Sequence, residues 1–354
     1  MSTHVTFKPK QVTKRLLEAL SDRARDVITS RYGLDGKVEK MTLEAIGKAY
    51  DITRERVRQI ENHSLAVIRK SKEYLKEKKV FDELKDILHK LGGVIAEKDF
   101  LEHITKDESA QNHINFLLIT GEEFKRSKED EHFSHRWFVD ETHSKKVEEA
   151  LKKLYEKLND NDLMTESEII ASFFDHLKDI SEQFKNEEIA KRWLKISKKI
   201  DKNPLGEWGK SQSPNINVKG VRDYAFLVLR RHGSPIHFRD VAKSITEIFK
   251  KKAHVATTHN ELIKDSRFVL VGRGLYALAE WGYISGVVKD VIRKILEKHG
   301  PLTKDEIIAH VLKERYVKEN TILVNLQNPK FFKRDKDGKY SIIPETTKVK
   351  ELVK

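Results

Sequence analysis

Met41-Thr42-Leu43-Glu44-Ala45-Ile46-Gly47-Lys48-Ala49-Tyr50-Asp51-Ile52-Thr53-Arg54-Glu55-Arg56-Val57-Arg58-Gln59-Ile60-Glu61 is the stretch on which the fold turns. Thr42 stands where a hydroxyl caps a short helix bearing Leu43, Ile46 and Ala49 on one side. Tyr50-Asp51-Ile52 make a tight turn. Thr53 then caps a second helix whose Val57, Ile60, Ser64, Leu65 and Ile68 recur on its inner side. Two short helices at a steep angle across a brief turn form a helix-turn-helix.

The outer side of the second helix carries chemistry. Arg54, Glu55, Arg58 and Gln59 lie at i, i+1, i+4 and i+5, so they crowd its first turns on one side. In a helix-turn-helix those turns enter the major groove. Arginine can hold guanine O6 and N7 together, glutamine can do the same with adenine, and glutamate can accept from cytosine N4. Thr42 and Thr53 sit at helix starts, where a hydroxyl and free N–H groups suit phosphate. Arg56, His63, Arg69 and Lys70 are the remaining phosphate candidates, and Lys72 extends the basic flank.

Upstream, residues 11–32 read as two further helices. Leu16, Leu17 and Leu20 form one stripe; Ser21 is the expected cap of the next helix, which Val27, Ile28 and Tyr32 continue before Gly33 and Gly36 break the run.

The words Arg31-Tyr32-Gly33-Leu34, Thr42-Leu43-Glu44-Ala45-Ile46-Gly47 and Thr53-Arg54-Glu55-Arg56-Val57-Arg58-Gln59-Ile60-Glu61 resemble region 4 of the primary-type bacterial sigma factors. The resemblance covers roughly residues 11–72. It implies binding of a promoter −35 element, with Arg54, Glu55, Arg58 and Gln59 matching the family's recognition residues, and docking on the β flap of RNA polymerase core. His63 stands where the family often has a basic residue. Sigma factors also carry an upstream domain that captures the melted −10 strand. With about ten residues before the first helix here, promoter opening by this chain alone is not expected.

The rest of the 354-residue chain repeats a unit. Each copy has a long amphipathic helix, a turn, an apolar residue, a short helix and an aromatic-rich pair of strands. Ile95, Met164, Ile236 and Leu302 align at the turn. The strand ends recur as Arg136-Trp137-Phe138-Val139, Gly206-Glu207-Trp208-Gly209, Gly274-Leu275-Tyr276-Ala277-Leu278 and Gly338-Lys339-Tyr340-Ser341-Ile342. Gly272-Arg273-Gly274 and Asp335-Lys336-Asp337-Gly338 read as hairpin turns. Helices followed by one hairpin make a winged helix. Copy three resembles the HARE-HTH winged helices through Val221-Arg222-Asp223-Tyr224-Ala225, His232-Gly233-Ser234-Pro235-Ile236-His237-Phe238-Arg239-Asp240-Val241 and Gly274-Leu275-Tyr276-Ala277-Leu278. That family includes the N-terminal domain of the polymerase delta subunit. The resemblance implies contacts to DNA or to transcription and chromatin proteins.

Charge separates the copies. Residues 1–80 hold 19 Lys/Arg and 11 Asp/Glu, residues 81–217 hold 22 and 29, and residues 218–354 hold 28 and 16. Two basic ends flank an acidic middle, so polyanion contact belongs at the ends. Lys250, Lys251, Lys252, Lys264, Arg267 and Arg273 are the duplex candidates of copy three; Lys330, Lys333, Arg334, Lys336 and Lys339 are those of copy four. The acidic copies read as spacer, partner surface or mask.

There is no cysteine, which removes disulfides, zinc–cysteine fingers and a thiol nucleophile. His132 and His135 are three apart in a hairpin without a clear third ligand, so no metal is expected. No phosphate loop or nucleophile elbow occurs. The opening residues lack a signal-peptide core, and no run approaches a membrane span.

The expected protein is mainly α with small β-hairpin wings. Its expected divisions are a helix-turn-helix domain (1–78), winged-helix-like units at 79–142, 143–215, 216–283 and 284–345, and a tail (346–354). It is expected to be a cytoplasmic, non-enzymatic, sequence-specific DNA-binding transcription factor without cofactor, membrane or small-molecule partner. Its expected partners are double-stranded DNA and RNA polymerase core. A polymerase-binding adaptor with little DNA specificity is the alternative, as is an accessory DNA-binding subunit of a restriction system.

Overall fold

The computed structural model describes residues 5–36, 39–177 and 180–343. The opening residues and the expected tail at 346–354 lie outside them. Seventeen α-helices and four small antiparallel sheets occur among the described residues. None of these helices is long and apolar enough to cross a membrane. The chain forms two units, Met1–Lys202 with Gly206–Ile216, and Asn203–Leu205 with Asn217–Lys354.

The first unit begins with α1 (Pro9–Leu17), α2 (Asp22–Tyr32), α3 (Leu43–Ala49) and α4 (Arg54–Arg69). Ser21 does occupy the N-cap of α2, but its hydroxyl makes no capping bond, contrary to expectation. Thr42 and Thr53 do cap: their Oγ1 atoms accept from the N–H groups of Ala45 and Arg56, each at 3.1 Å. The turn between α3 and α4 is tight because Gly47 has no side chain. A Cβ there would lie 2.6 Å from the Ile52 carbonyl oxygen. Asp51 takes a positive φ of 52° to complete the turn, a conformation aspartate tolerates better than most residues. Val27, Ile46 and Val57, all fully buried, form the small core that α2, α3 and α4 share.

After α5 (Lys72–Lys76), one order of elements recurs. In residues 78–138 it is α6 (Lys78–Lys90), β1 (Val94–Ala96), α7 (Glu97–Ile104), α8 (Glu108–Thr120), β2 (Lys125–Ser127) and β3 (Arg136–Phe138). In residues 141–210 it is α9 (Glu141–Lys157), a bridge at Met164, α10 (Glu166–His176), α11 (Glu187–Leu194), β4 (Ile200–Lys202) and β5 (Trp208–Lys210).

The second unit repeats the order twice. First come α12 (Val221–His232), β6 (Ile236–His237), α13 (Phe238–Phe249), α14 (Val255–Lys264), β7 (Phe268–Gly272) and β8 (Leu275–Leu278). Then come α15 (Val288–His299), β9 (Leu302–Thr303), α16 (Lys304–Glu314), α17 (Glu319–Leu326), β10 (Phe332–Arg334) and β11 (Lys339–Ile342).

The last strand of each repeat always pairs with the residue that aligns at the turn. Ile95 faces Trp137, Met164 faces Trp208, Ile236 faces Tyr276 and Leu302 faces Tyr340. A large aromatic opposite an aliphatic residue is a favourable cross-strand pair. In residues 78–138, β1 and β3 are buried on both faces. Ile95 and Trp137 enter a core shared with α1, α2 and α4. Val94, Ala96 and Phe138, one residue out of phase, enter a second core shared with residues 147–208. The two-residue period of a strand thus joins three consecutive modules.

Candidate nucleic-acid interface

The inner side of α4 packs down as its spacing predicts. Val57, Ser64, Leu65 and Ile68 are buried, and Ser64 donates to the Ile60 carbonyl at 2.7 Å. This leaves Arg54, Glu55, Arg58 and Gln59 exposed together on the first turns. They are not idle in the free protein. Arg58 donates to both Glu55 oxygens, Nη2 to Oε1 at 2.7 Å and Nε to Oε2 at 2.9 Å. Arg56 donates to Gln59 Oε1 at 3.2 Å. The Arg58 hydrogen bonds hold the Glu55 carboxyl below its usual range, and the same pair raises the Arg58 guanidinium. Each pair fixes long side chains beside one another without burying them.

The phosphate candidates divide. Thr42, Thr53, Arg56, His63 and Lys70 are exposed. The two threonine hydroxyls accept from the helix backbone and retain a hydrogen to donate. Arg69 is different. Its Nη2 donates to the Ile119 carbonyl at 2.8 Å and its Nε to the Thr120 carbonyl at 2.9 Å. Those oxygens end α8, where free carbonyls and the helix dipole attract a cation. Arg69 therefore clamps α8 and is removed from the phosphate set.

A shallow cleft beside α4 gathers Ser21, Arg23, Arg56, Gln59 and His63. Arg23 was not among the sequence candidates. It is the second residue of α2, remote in sequence from α4, and only the packing of α2 against α4 sets it beside Arg56.

The basic candidates of the second unit also divide. Lys250, Lys251, Lys252, Lys264, Arg273, Lys330, Lys333, Arg334, Lys336 and Lys339 are exposed. Lys250 ends α13 with a positive φ of 55°, and Lys251 and Lys252 lead on toward α14. Arg273 stands in the β7–β8 turn, and Lys336 in the β10–β11 turn, where Gly274 and Gly338 supply φ of 74° and 81°. Arg267 does not belong with them. Its Nη2 reaches Asp223 at 2.9 Å and Asp265 at 2.7 Å. Its guanidinium lies 5.3 Å from the Phe226 ring centre. With Asp223 only 5% exposed, Arg267 is a brace between α12 and the start of β7.

His132 and His135 lie in the loop between β2 and β3. His135 Nδ1 accepts from the Glu129 N–H at 2.8 Å. Among the described residues no group of three or more metal-binding side chains gathers.

Residues 16–70 match the family model for sigma-70, region 4. Similar proteins include the RNA polymerase sigma factor SigA of Nostoc sp. (strain PCC 7120), 50% identical over 56 residues, 16% of this chain and 14% of that protein. The sigma factor RpoD of Neisseria gonorrhoeae is 44% identical over 59 residues, 17% of this chain and 9% of that protein. The sigma factor RpoS of Coxiella burnetii is 50% identical over 56 residues, 16% of each chain. The chain thus spans 9–16% of the length of these relatives. Residues 16–70, from the end of α1 to the end of α4, are a sigma-70 region 4 domain.

Proposed function

We propose that this protein binds duplex DNA in transcription initiation or its regulation, reading a −35-type element through α4. The observation that carries the reading is the exposed row Arg54, Glu55, Arg58 and Gln59 on the first turns of a capped second helix, within a region 4 match. Arg58 and Gln59 read base edges by bidentate bonds, and Glu55 both accepts from a base and orients Arg58 before binding. Thr42, Thr53, Arg56, His63, Lys70 and the neighbouring Arg23 meet the flanking phosphates.

The four repeated units serve as winged-helix modules. In the second unit, Lys250–Lys252 and Lys264 around α14 and the cations of the two hairpin turns add backbone contacts. Their exposure and the basic charge of residues 218–354 support this.

The test is selection of bound sequences from random duplexes, followed by Arg58→Ala. That change is expected to cost about 1–3 kcal/mol and to relax base preference at one position. Equal affinity of Arg58→Ala for the selected and a scrambled duplex, matched by wild type, removes the base-reading role. The adaptor reading predicts that an Arg54→Ala/Arg58→Ala protein captures core polymerase as well as wild type.

A further inference from the structure

Val255-Ala256-Thr257-Thr258-His259-Asn260-Glu261-Leu262-Ile263-Lys264, the third helix of the third repeat, carries two sets of side chains. Thr258 and Leu262, one turn apart, are buried. The Thr258 hydroxyl donates to the His254 carbonyl at 3.0 Å, and the His259 ring stacks on Phe238 with 4.2 Å between centroids. These contacts seat α14, which packs against α12, α13 and β7. At about 100° per residue, the side opposite Thr258 and Leu262 is Ala256, Thr257, Asn260, Ile263 and Lys264. All five are exposed.

That row differs from the lysines beside it. The Asn260 amide and the Thr257 hydroxyl have no partner among the described residues. Ala256, Thr257 and Ile263 present methyl groups, Ile263 at 62% exposure. No carboxylate stands in the row, and Glu261 at its edge is half-buried. A free amide offers a donor and an acceptor side by side, which match adenine N7 and N6, and a side-chain methyl packs on the C5 methyl of thymine. Lys250, Lys251 and Lys252 precede the helix and Lys264 ends it, none of them paired with a carboxylate among the described residues. Cations suited to phosphate thus bracket a row of amide and methyl groups suited to bases. The corresponding helix of the fourth repeat is built otherwise. α17 opens on Glu319, and its Asn325 amide already donates to the Thr321 carbonyl at 2.8 Å.

We infer that α14 is a second base-reading helix, selective for A·T pairs. Asn260 holds adenine through N6 and N7, and Ala256, Thr257 and Ile263 pack on thymine methyls. The lysines around α14 position the helix, and the Asn260 row specifies the sequence. The charged row of α4 and the uncharged amide and methyl groups of α14 then select different base pairs. The inference rests on the reading of the second unit as a body that meets duplex DNA.

The test uses the full chain to select from random duplexes, as wild type, Asn260→Ala and Lys250→Ala/Lys251→Ala/Lys252→Ala. Wild type is expected to enrich an A·T-containing stretch besides the element read by α4. Asn260→Ala, a change at an exposed position, should lose adenine preference at one position of that stretch on the order of tenfold, with the α4 element enriched as before. Deoxyuridine in place of thymine in the stretch removes only the methyl. It should weaken wild type by about threefold, and Thr257→Ser/Ile263→Ser by less. A wild-type pool without the A·T stretch, or one identical to the Asn260→Ala pool, overturns base reading by α14. In that event a lower slope of log K against log salt for the triple lysine variant shows that the duplex contact of the second unit still stands. An unchanged slope removes both.

Discussion

Residues 78–210 and residues 221–342 use one order of elements in opposite ways. In the first pair of repeats the third helix is internal. Eight residues of α8 and four of the eight-residue α11 are buried. α8 lies against the region 4 domain and α11 against β1, where the Trp193 indole donates to the Gly92 carbonyl at 3.2 Å. In the second pair only Thr258 and Leu262 of α14, and Ile322 and Leu326 of α17, are buried. A third helix written Asn-His-Ile-Asn-Phe-Leu-Leu-Ile becomes mortar between modules. One written Val-Ala-Thr-Thr-His-Asn-Glu-Leu-Ile-Lys, next to three lysines, stays at the surface. The same contrast separates an acidic stretch from a basic one, and the duplex contacts proposed above fall on the second pair, whose third helices are exposed.

The strongest way to break this comparison is Trp193→Ala. Trp193 is fully buried, and truncation should cost about 3–5 kcal/mol. If residues 78–210 are one cooperative block, amide protection falls in both repeats together. Loss confined to residues 141–210 would mean that the two repeats are only neighbours.

Next comes Arg267→Ala. Without the brace, the buried Asp223 carboxylate keeps only the N–H groups of Lys219 and Gly220 and the Arg222 guanidinium at 3.9 Å. The expected cost is about 3 kcal/mol. The melting temperature should fall while the salt dependence of duplex binding by folded protein stays unchanged. A reduced salt slope would return Arg267 to the phosphate set.

Lys333→Ala with Lys336→Ala should lower the slope of log K against log salt by about 0.9 for each phosphate no longer neutralised. Lys152→Ala with Lys153→Ala, on the acidic stretch, should leave it alone. Equal slopes for the two pairs would erase the functional half of the comparison.

The smallest effect is acid sensitivity of the α8 contact. Burial on α8 lowers the His113 pKa from its ordinary 6.5, Lys10 lowers it further and Asp107 opposes. The unfolded chain therefore binds a proton that the folded chain resists. Stability is present above about pH 6.5 and falls as pH drops toward the lowered value. His113→Leu should reduce, without abolishing, the fall of the unfolding midpoint between about pH 7.5 and 5.5, since burial lowers His103 and His143 in the same direction. An unchanged pH slope would show that His113 is not what protonates.

Much of the region 4 domain is legible in the sequence because it is local. Apolar spacing places α3 and α4, hydroxyls at Thr42 and Thr53 start them, and the same spacing turns Arg54, Glu55, Arg58 and Gln59 outward. The aligned Ile95, Met164, Ile236 and Leu302 reappear as cross-strand partners because one aliphatic residue at a fixed place in each repeat meets one aromatic on the last strand. Arg69 and Arg267 mislead for the opposite reason. A charged residue looks solvated until its partner is known: the carbonyls that hold Arg69 stand about 50 positions away and Asp223, which braces Arg267 together with the nearby Asp265, stands 44 away.

The amino-acid sequence by itself determined which side of each helix is apolar and which carries charge, since that follows from a period of about 3.6 residues. Tertiary structure alone decided what covers each apolar side, α8 over the region 4 domain and α11 over β1, and what set Arg23 beside Arg56. Burial is satisfied by any surface of matching shape, so periodicity announces that a partner is needed without naming it.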